Sequence, residues 1–265
     1  MASDFPFRSA SGDVRGDNAL PFIPTIGDAP SEVMLHAAKA TRVDAVTACA
    51  FRSLIEFHGR YRSVRVVLTP PEETTAGRLL MGLLGSDLPR HLCFANDVTP
   101  PSGSSPRAVA LPATVIRSYE EADMIANALP SLGRAFSGRE WRFIEGAYGE
   151  LVENALAWGA DSPIGAVVAA MHERHEHVLQ VAVTDLGGTL SRVGDAQQEL
   201  EEQIAVSAEE QRGLALLVGH AEDRGLDMRL SLAAGSGRAV WADGEWAYET
   251  AQDVGGFTAV VSIPL

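Results

Sequence analysis

The stretch GELVENALAWG, residues 149–159, decides how the second half of the chain is interpreted. It ends a helical pattern that begins near residue 138, and Glu150 and Asn154 lie four residues apart, on one face of that helix. A carboxylate beside an amide can orient a nucleophile and ligate Mg²⁺, although a solvated helix face gives the same pattern. Apolar residues at helical spacing form another face, expected to pack on a sheet: Ile144, Ala147, Tyr148, Leu151 and Ala155.

A second motif, VAVTDLGGTL (181–190), reads as an apolar strand that ends at Asp185 and is followed by Gly187 and Gly188. An aspartate at a strand end can accept a hydrogen bond from an exocyclic amine, and glycine lets a ligand approach the backbone closely. An ordinary polar β-turn uses the same residues, so this motif alone leaves both interpretations open.

Two further motifs follow. In QRGLALLVGHA (211–221), Gly213 opens an apolar helix whose first N–H groups could face a phosphate, and Arg212 adds positive charge there. An ordinary helix start remains the alternative. The chain then closes with GGFTAVVSIPL, a glycine turn into a strand with Thr258 near its start.

The order of the four motifs, over roughly residues 108–265, resembles the GHKL family of ATP-binding domains, and within it the anti-sigma-factor serine kinases. The resemblance implies an α/β class fold, a two-layer α/β sandwich of the GHKL or Bergerat type. It also implies that ATP lies between the helix layer and a flexible lid formed by residues 190–211.

The resemblance assigns roles to individual residues. Asn154 would bind Mg²⁺, Glu150 would be the catalytic or orienting carboxylate, and Asp185 would bind the adenine amine. The remaining nucleotide-binding residues would be Gly187, Gly188, Arg212, Gly213 and Thr258. The chain departs from the family pattern at Thr189 and Ala215, where glycines are usual, and at Trp158, where the kinases commonly have histidine.

The first half has a different organisation. Residues 1–30 are rich in Gly, Pro, Ser and Asp and are expected to lack regular structure, and residues 98–107 read as a linker. Between them, strands and helices alternate over residues 31–100, which predicts parallel β-α-β units on one sheet. This region resembles a smaller STAS-like α/β unit, with Asp44 and Thr47 in the loop that usually carries the phosphorylated serine; a generic β-α-β unit is the alternative. We expect Thr47, Cys49 and Cys93 to be buried.

Composition limits the function classes. The net charge of −14 argues against nucleic acid as a direct partner, and no apolar run is long enough to suggest a membrane span. Within these limits, the resemblance implies a cytoplasmic, ATP–Mg²⁺-binding regulatory protein of the partner-switching type. Its partner would be a sigma factor or an antagonist-like protein, with serine/threonine kinase activity as one form of the hypothesis. The alternatives are a degenerate GHKL scaffold without catalysis and an ATPase subunit that forms a homodimer.

Overall fold

The computed structural model describes the chain in segments, and all structural statements concern these residues: 11–13, 32–72, 74–85, 87–95, 109–132, 138–158, 162–173, 177–186, 196–210, 213–223 and 225–264. The fold is mixed α/β, as the sequence predicts. Among these residues, no helix is both long enough and apolar enough to cross a bilayer.

The first half alternates strands and helices. In chain order its elements are β1 (Ser11–Asp13), β2 (Glu32–His36), β3 (Lys39–Arg42), α1 (Ala45–Leu54), a π-helical turn (Ile55–Tyr61), β4 (Arg65–Thr69), α2 (Thr74–Leu84) and β5 (Leu92–Phe94). Strands β2, β4 and β5 form a parallel sheet, which confirms the predicted β-α-β arrangement.

One short strand lies where no regular structure was expected. Strand β1 falls within residues 1–30 and pairs in parallel with β3. Backbone groups alone make this ladder, so the polar tripeptide Ser-Gly-Asp carries no hydrophobic period that would predict it.

The second half forms a single antiparallel sheet with four helices. Its elements are β6 (Val109–Ile116), α3 (Tyr119–Leu132), α4 (Gly138–Trp158), β7 (Ala166–Glu173), β8 (Val178–Asp185), α5 (Ala196–Glu210), α6 (Leu214–Asp223), β9 (Arg229–Ala242) and β10 (Glu245–Pro264). The five strands lie in the order β6-β7-β8-β10-β9.

Strands β9 and β10 are longer than the sequence pattern suggests. Two apolar stretches, RLSLAA and RAVWA, are separated by Gly-Ser-Gly, which favours two separate strands, but both belong to one continuous β9. Positive φ angles at Asp243 and Gly244 form the hairpin turn to β10, a conformation that suits an Asp-Gly pair.

Both faces of the five-stranded sheet are apolar. Alternate residues of β7 pack into two different cores, with Val168 and Ala170 on one side and Val167 and Ala169 on the other. Helices α3 to α6 contribute to the first core, whereas the second core contains side chains of α1, α2 and the parallel sheet. The second half is therefore covered on its back face by the first half.

Helix α1 fills the space between the two sheets, and all ten of its residues are buried. A helix that is buried all round belongs in the middle of a layered structure. The thiol of Cys49 donates to the carbonyl of Ala182 on β8 at 3.4 Å, and the N–H of Ala45 donates to Oε1 of Gln180 at 3.3 Å. These contacts join the first half directly to the central strand β8.

Asp44 caps the start of α1. Its Oδ1 accepts from the backbone N–H of Thr47 at 2.8 Å and from the Thr47 hydroxyl at 2.7 Å. Thr47 is 2% exposed, so its predicted burial is confirmed. Cys49 is buried as expected, but Cys93 is only half-buried, because it lies on the outer strand of the three-stranded parallel sheet.

A buried carboxylate links the first half to the start of α3. Glu56, in the π-helical turn, is fully buried and lies 2.7 Å from Nη2 of Arg52 and 2.9 Å from Nε of Arg60. Nη2 of Arg117, just before α3, lies 3.9 Å from the same carboxylate. Burial lowers the pKa of Arg52, and the neighbouring Glu56 opposes that shift. Removing one partner of such a buried group is strongly destabilising.

Because Cys49 is buried where the two halves of the chain pack together, we expect its thiol to be unreactive. Burial, and secondarily Asp44, raises the pKa of Cys49 well above its ordinary value, so little thiolate is present at neutral pH. We expect Cys49 in a Cys93→Ser variant to resist a thiol-specific reagent at pH 7.5 and to react fully after denaturation, as followed by mass spectrometry. The wild type, with half-buried Cys93, is the control. Rapid labelling of native Cys93→Ser protein would contradict the packing of α1 on the sheet.

Candidate functional site

Helix α4 presents two different faces, as the sequence predicts. The expected apolar face is buried in the first core: Ile144, Ala147, Tyr148, Leu151 and Ala155. The other side lines a cavity of about 430 Å³ with Glu150, Glu153, Asn154 and Ala157, at positions that share one helix face. The hydroxyl of Tyr148 donates to the carbonyl of Ala122 on α3 at 2.9 Å, so α4 is held by both the sheet and a neighbouring helix.

Gly213 and Asn154, which are far apart in the sequence, lie close together in the site. Gly213 has a φ of +60°, and a Cβ placed on it would lie 3.1 Å from Oδ1 and 3.2 Å from Nδ2 of Asn154. Glycine therefore satisfies both requirements at this position, a left-handed backbone and a close side-chain neighbour. Nδ2 of Asn154 is buried and has no hydrogen-bond partner among the described residues.

The remaining cavity walls come from three elements. Helix α5 contributes Leu200, Gln203, Ile204, Val206 and Ser207, α6 contributes Leu214 and Leu216, and β10 contributes Phe257. No lysine or arginine lines the cavity within the described part of the chain. Its charged lining residues are Glu150 and Glu153, so the cavity is acidic.

The environment shifts the titration of Glu150. Burial is the main cause that raises the pKa of this carboxyl, and the neighbouring Glu153 raises it further, whereas His220 acts in the opposite direction. A carboxyl with a raised pKa is closer to the range in which it can exchange protons near neutral pH.

Asp185 ends β8 on the side of the sheet that carries the helices. Leu179, Val181 and Val183 of the same strand pack into the first core, and strand alternation puts Asp185 on that face. Its Cα partner across the ladder is Phe257. Asp185 is 1% exposed and is not among the cavity-lining residues, whereas Phe257 lines the cavity.

Thr258 lies on the other face. It pairs with Thr184, and the two hydroxyls are 3.1 Å apart in a buried hydrogen bond. Val260, two residues further along β10, packs into the second core, which places Thr258 on the side covered by the first half. The structure therefore does not bring Thr258 to the face that carries Asp185, because adjacent strand positions point in opposite directions.

Other predicted residues lie outside the described segments. These are Gly187, Gly188 and Arg212, together with Thr189 and with residues 190–195 and 211 at the two ends of the expected lid. The described part of that lid, residues 196–210, is helix α5. It packs against the protein because Leu200 and Ile204, four residues apart, are buried in the first core.

Sequence reasoning missed several cavity residues. Glu153 could have been found from its position three residues after Glu150 on the same helix face. The stripe formed by Leu200, Ile204 and Ser207 follows helical spacing, but charged residues around it hide the signal. Nothing local distinguishes Phe257 from any apolar strand residue.

Comparison of the chain with protein-family models, with curated proteins and with solved structures yields no significant match. The interpretation of the site therefore depends on its own geometry and chemistry.

The donor set fits Mg²⁺ bound together with a phosphate. Mg²⁺ prefers oxygen ligands and usually takes one or two from the protein, with phosphate oxygens and water completing its coordination. Glu150, Glu153 and Asn154 offer such atoms along one helix face. The described residues contain no cluster of three or more His, Cys, Asp or Glu side chains suited to holding a metal.

Replacing Gly213 tests the approach of α6 to Asn154. Gly213→Ala should lower the free energy of unfolding by about 1–2 kcal/mol through its left-handed backbone, and by a further amount because Asn154 must shift. Gly225→Ala is a matched control, since Gly225 has a φ of +57° and no atom within 4 Å of the position that a Cβ would occupy. Equal losses in urea denaturation of the two variants would contradict the contact.

The pH dependence of stability tests the setting of Glu150. Because the folded protein raises the pKa of this carboxyl, the native state holds the proton of Glu150 more tightly than the unfolded state does. The contribution of Glu150 to the stability of the protein therefore falls as the pH rises above the ordinary pKa of about 4.5. Glu150→Gln removes that loss. The free energy of unfolding of this variant, measured relative to that of wild type, should therefore be larger at pH 7.5 than at pH 5.

The control is Glu145→Gln, at an exposed position of the same helix. Because Glu150 is itself half-exposed, the expected margin is small. A Glu150→Gln variant whose relative stability is the same at both pH values would show that the site does not perturb this carboxyl.

Proposed function

We propose that the second half of the chain binds ATP together with Mg²⁺, as a GHKL-type domain of a regulatory protein. The observation that carries the proposal is the contact of Asn154 with Gly213 at the cavity that Glu150 also lines. These residues belong to two of the motifs that carry the GHKL resemblance. The antiparallel sheet and the placement of α4 and α6 on one face support the same interpretation.

The base of the nucleotide would be recognised by Asp185. Its carboxylate lies at the end of β8 on the face shared with α4, and its cross-strand partner Phe257 lies at the cavity wall. A carboxylate accepts a hydrogen bond from the exocyclic amine of adenine, and an apolar ring beside it can pack on the base. Gly187 and Gly188 remain predictions from the resemblance, whereas Thr258 lies on the opposite face of the sheet and takes no part in this proposal.

The phosphates would lie near the start of α6, where Gly213 brings the backbone close to Asn154. A helix N-terminus offers the equivalent of about half a positive charge, which cannot offset the carboxylates of both Glu150 and Glu153. Binding of a triphosphate therefore needs a cation. Asn154 would hold Mg²⁺ through its amide oxygen, and Mg²⁺ would supply the neutralisation of phosphate charge.

As a kinase, the protein would transfer the γ-phosphoryl group of ATP to a serine or threonine of a protein partner. Glu150 would accept the proton of the attacking hydroxyl. Positioning of that hydroxyl and of the γ-phosphoryl group would account for most of the remaining rate enhancement. The partner class follows from the resemblance, namely a sigma factor or an antagonist-like protein. Thr47 of the chain itself is a poor acceptor, because it is buried and its hydroxyl donates to Asp44.

Two observations favour a second candidate, a protein-interaction scaffold without nucleotide. Asp185 is almost fully buried, and the charged lining of the cavity is acidic. Both features oppose a triphosphate ligand in the absence of a cation. An ATPase subunit that dimerises with ATP is a third form of the hypothesis, and light scattering with and without ATP separates it from the scaffold.

The deciding experiment measures ATP affinity by calorimetry with and without Mg²⁺. Wild-type protein should bind only with Mg²⁺, and Asn154→Ala should weaken binding by at least about tenfold, because a metal ligand is lost. Asn127→Ala makes the same substitution at an exposed position of α3 and should bind like wild type. Negligible ATP binding under all conditions would reject the proposal and leave the scaffold.

A further inference from the structure

Helix α5 carries one stripe of side chains that faces the site. Leu200, Ile204 and Ser207 lie at intervals of four and three residues, and all three line the cavity. Leu200 is 1% exposed and Ile204 is 7% exposed, whereas Glu202 and Glu209 on the other side of the helix are exposed. Helix α5 is therefore packed on the protein through an apolar stripe.

Ser207 extends this contact to the start of α6. Its Oγ accepts a hydrogen bond from the backbone N–H of Ala215 at 3.2 Å. That N–H belongs to the first turn of α6, where backbone donors have no partner within the helix. Ser207 thus acts as a capping acceptor supplied by a different helix.

The same donor is one that a phosphate would use. Backbone N–H groups of a first helical turn are the usual donors to phosphate oxygens. Ala215 lies two residues after Gly213, where the phosphates of the proposed nucleotide would lie. A serine hydroxyl and a phosphate oxygen cannot both occupy this donor in the same geometry.

The apolar part of the stripe belongs to the same cavity wall as Phe257. Leu200, Ile204 and Phe257 all belong to the first core and all line the cavity. With α5 docked, part of the wall of the proposed nucleotide site is therefore made by α5 itself.

We propose that α5 is an autoinhibitory element, which closes the nucleotide site by placing Ser207 on the α6 N-terminus and Leu200 and Ile204 in the cavity wall. This inference rests on the proposed nucleotide function and describes its regulation. Nucleotide and docked α5 compete for the same groups, so the apparent affinity for nucleotide is reduced by the fraction of protein in the closed state. A partner that binds undocked α5 would raise that affinity.

The test compares ATP–Mg²⁺ affinity in wild type, Ser207→Ala and Glu202→Ala. Loss of a helix-capping acceptor weakens docking, so Ser207→Ala should bind ATP–Mg²⁺ more tightly by roughly 2- to 30-fold. Glu202→Ala is the matched control on the same helix, because Glu202 is exposed and accepts from Gln198 within α5. It should bind like wild type.

A second measurement needs no variant. Hydrogen exchange of wild-type α5 amides should become faster when ATP–Mg²⁺ is added, because the nucleotide displaces the helix. Ordinary ligand stabilisation would slow that exchange and would overturn the inference.

The outcomes separate the two proposals. Equal or weaker binding by Ser207→Ala, with Asn154-dependent binding in wild type, overturns autoinhibition and leaves the nucleotide function in place. Binding by Ser207→Ala alone supports both. Absence of binding in all three proteins overturns both, because even a weakened closed state then exposes no nucleotide site.

Discussion

The structure depends on one constraint, which is that the five-stranded sheet is apolar on both faces and must be covered on both. Helix α4 covers one face together with the other helices of the second half, and α1 covers the opposite face. Because α1 is buried on all sides, it cannot leave without exposing the second core, to which both sheets contribute. The first half therefore packs directly on the sheet of the second half.

This two-sided packing fixes the candidate site. Strand β8 has α1 behind it and α4 in front of it, so the position of Asp185 at its end is set from both sides. The core face of α4 determines the direction in which Glu150 and Asn154 point, and the left-handed Gly213 allows α6 to approach them. The chemistry of the site thus follows from the burial of apolar residues that take no part in it.

Much of this could be predicted from sequence where a local pattern determines the outcome. The apolar face of α4 and the parallel strands of the first half follow from periodicity, which depends on neighbouring residues. The docking of α1 on β8 could not be predicted, since no periodicity specifies which sheet a buried helix covers. Nor could the face of Thr258, which depends on strand register, or the contact of Ser207 with Ala215, which joins two helices through a single hydrogen bond.

The central claim is that the groups around Asn154, Gly213 and Asp185 form one nucleotide site. A crystal structure with Mg²⁺ and a non-hydrolysable ATP analogue tests it most directly. We expect the adenine amine against the carboxylate of Asp185, the phosphates at the start of α6 and the cation beside Asn154. An analogue bound elsewhere on the protein, without contact to Asp185 or Asn154, would contradict the claim.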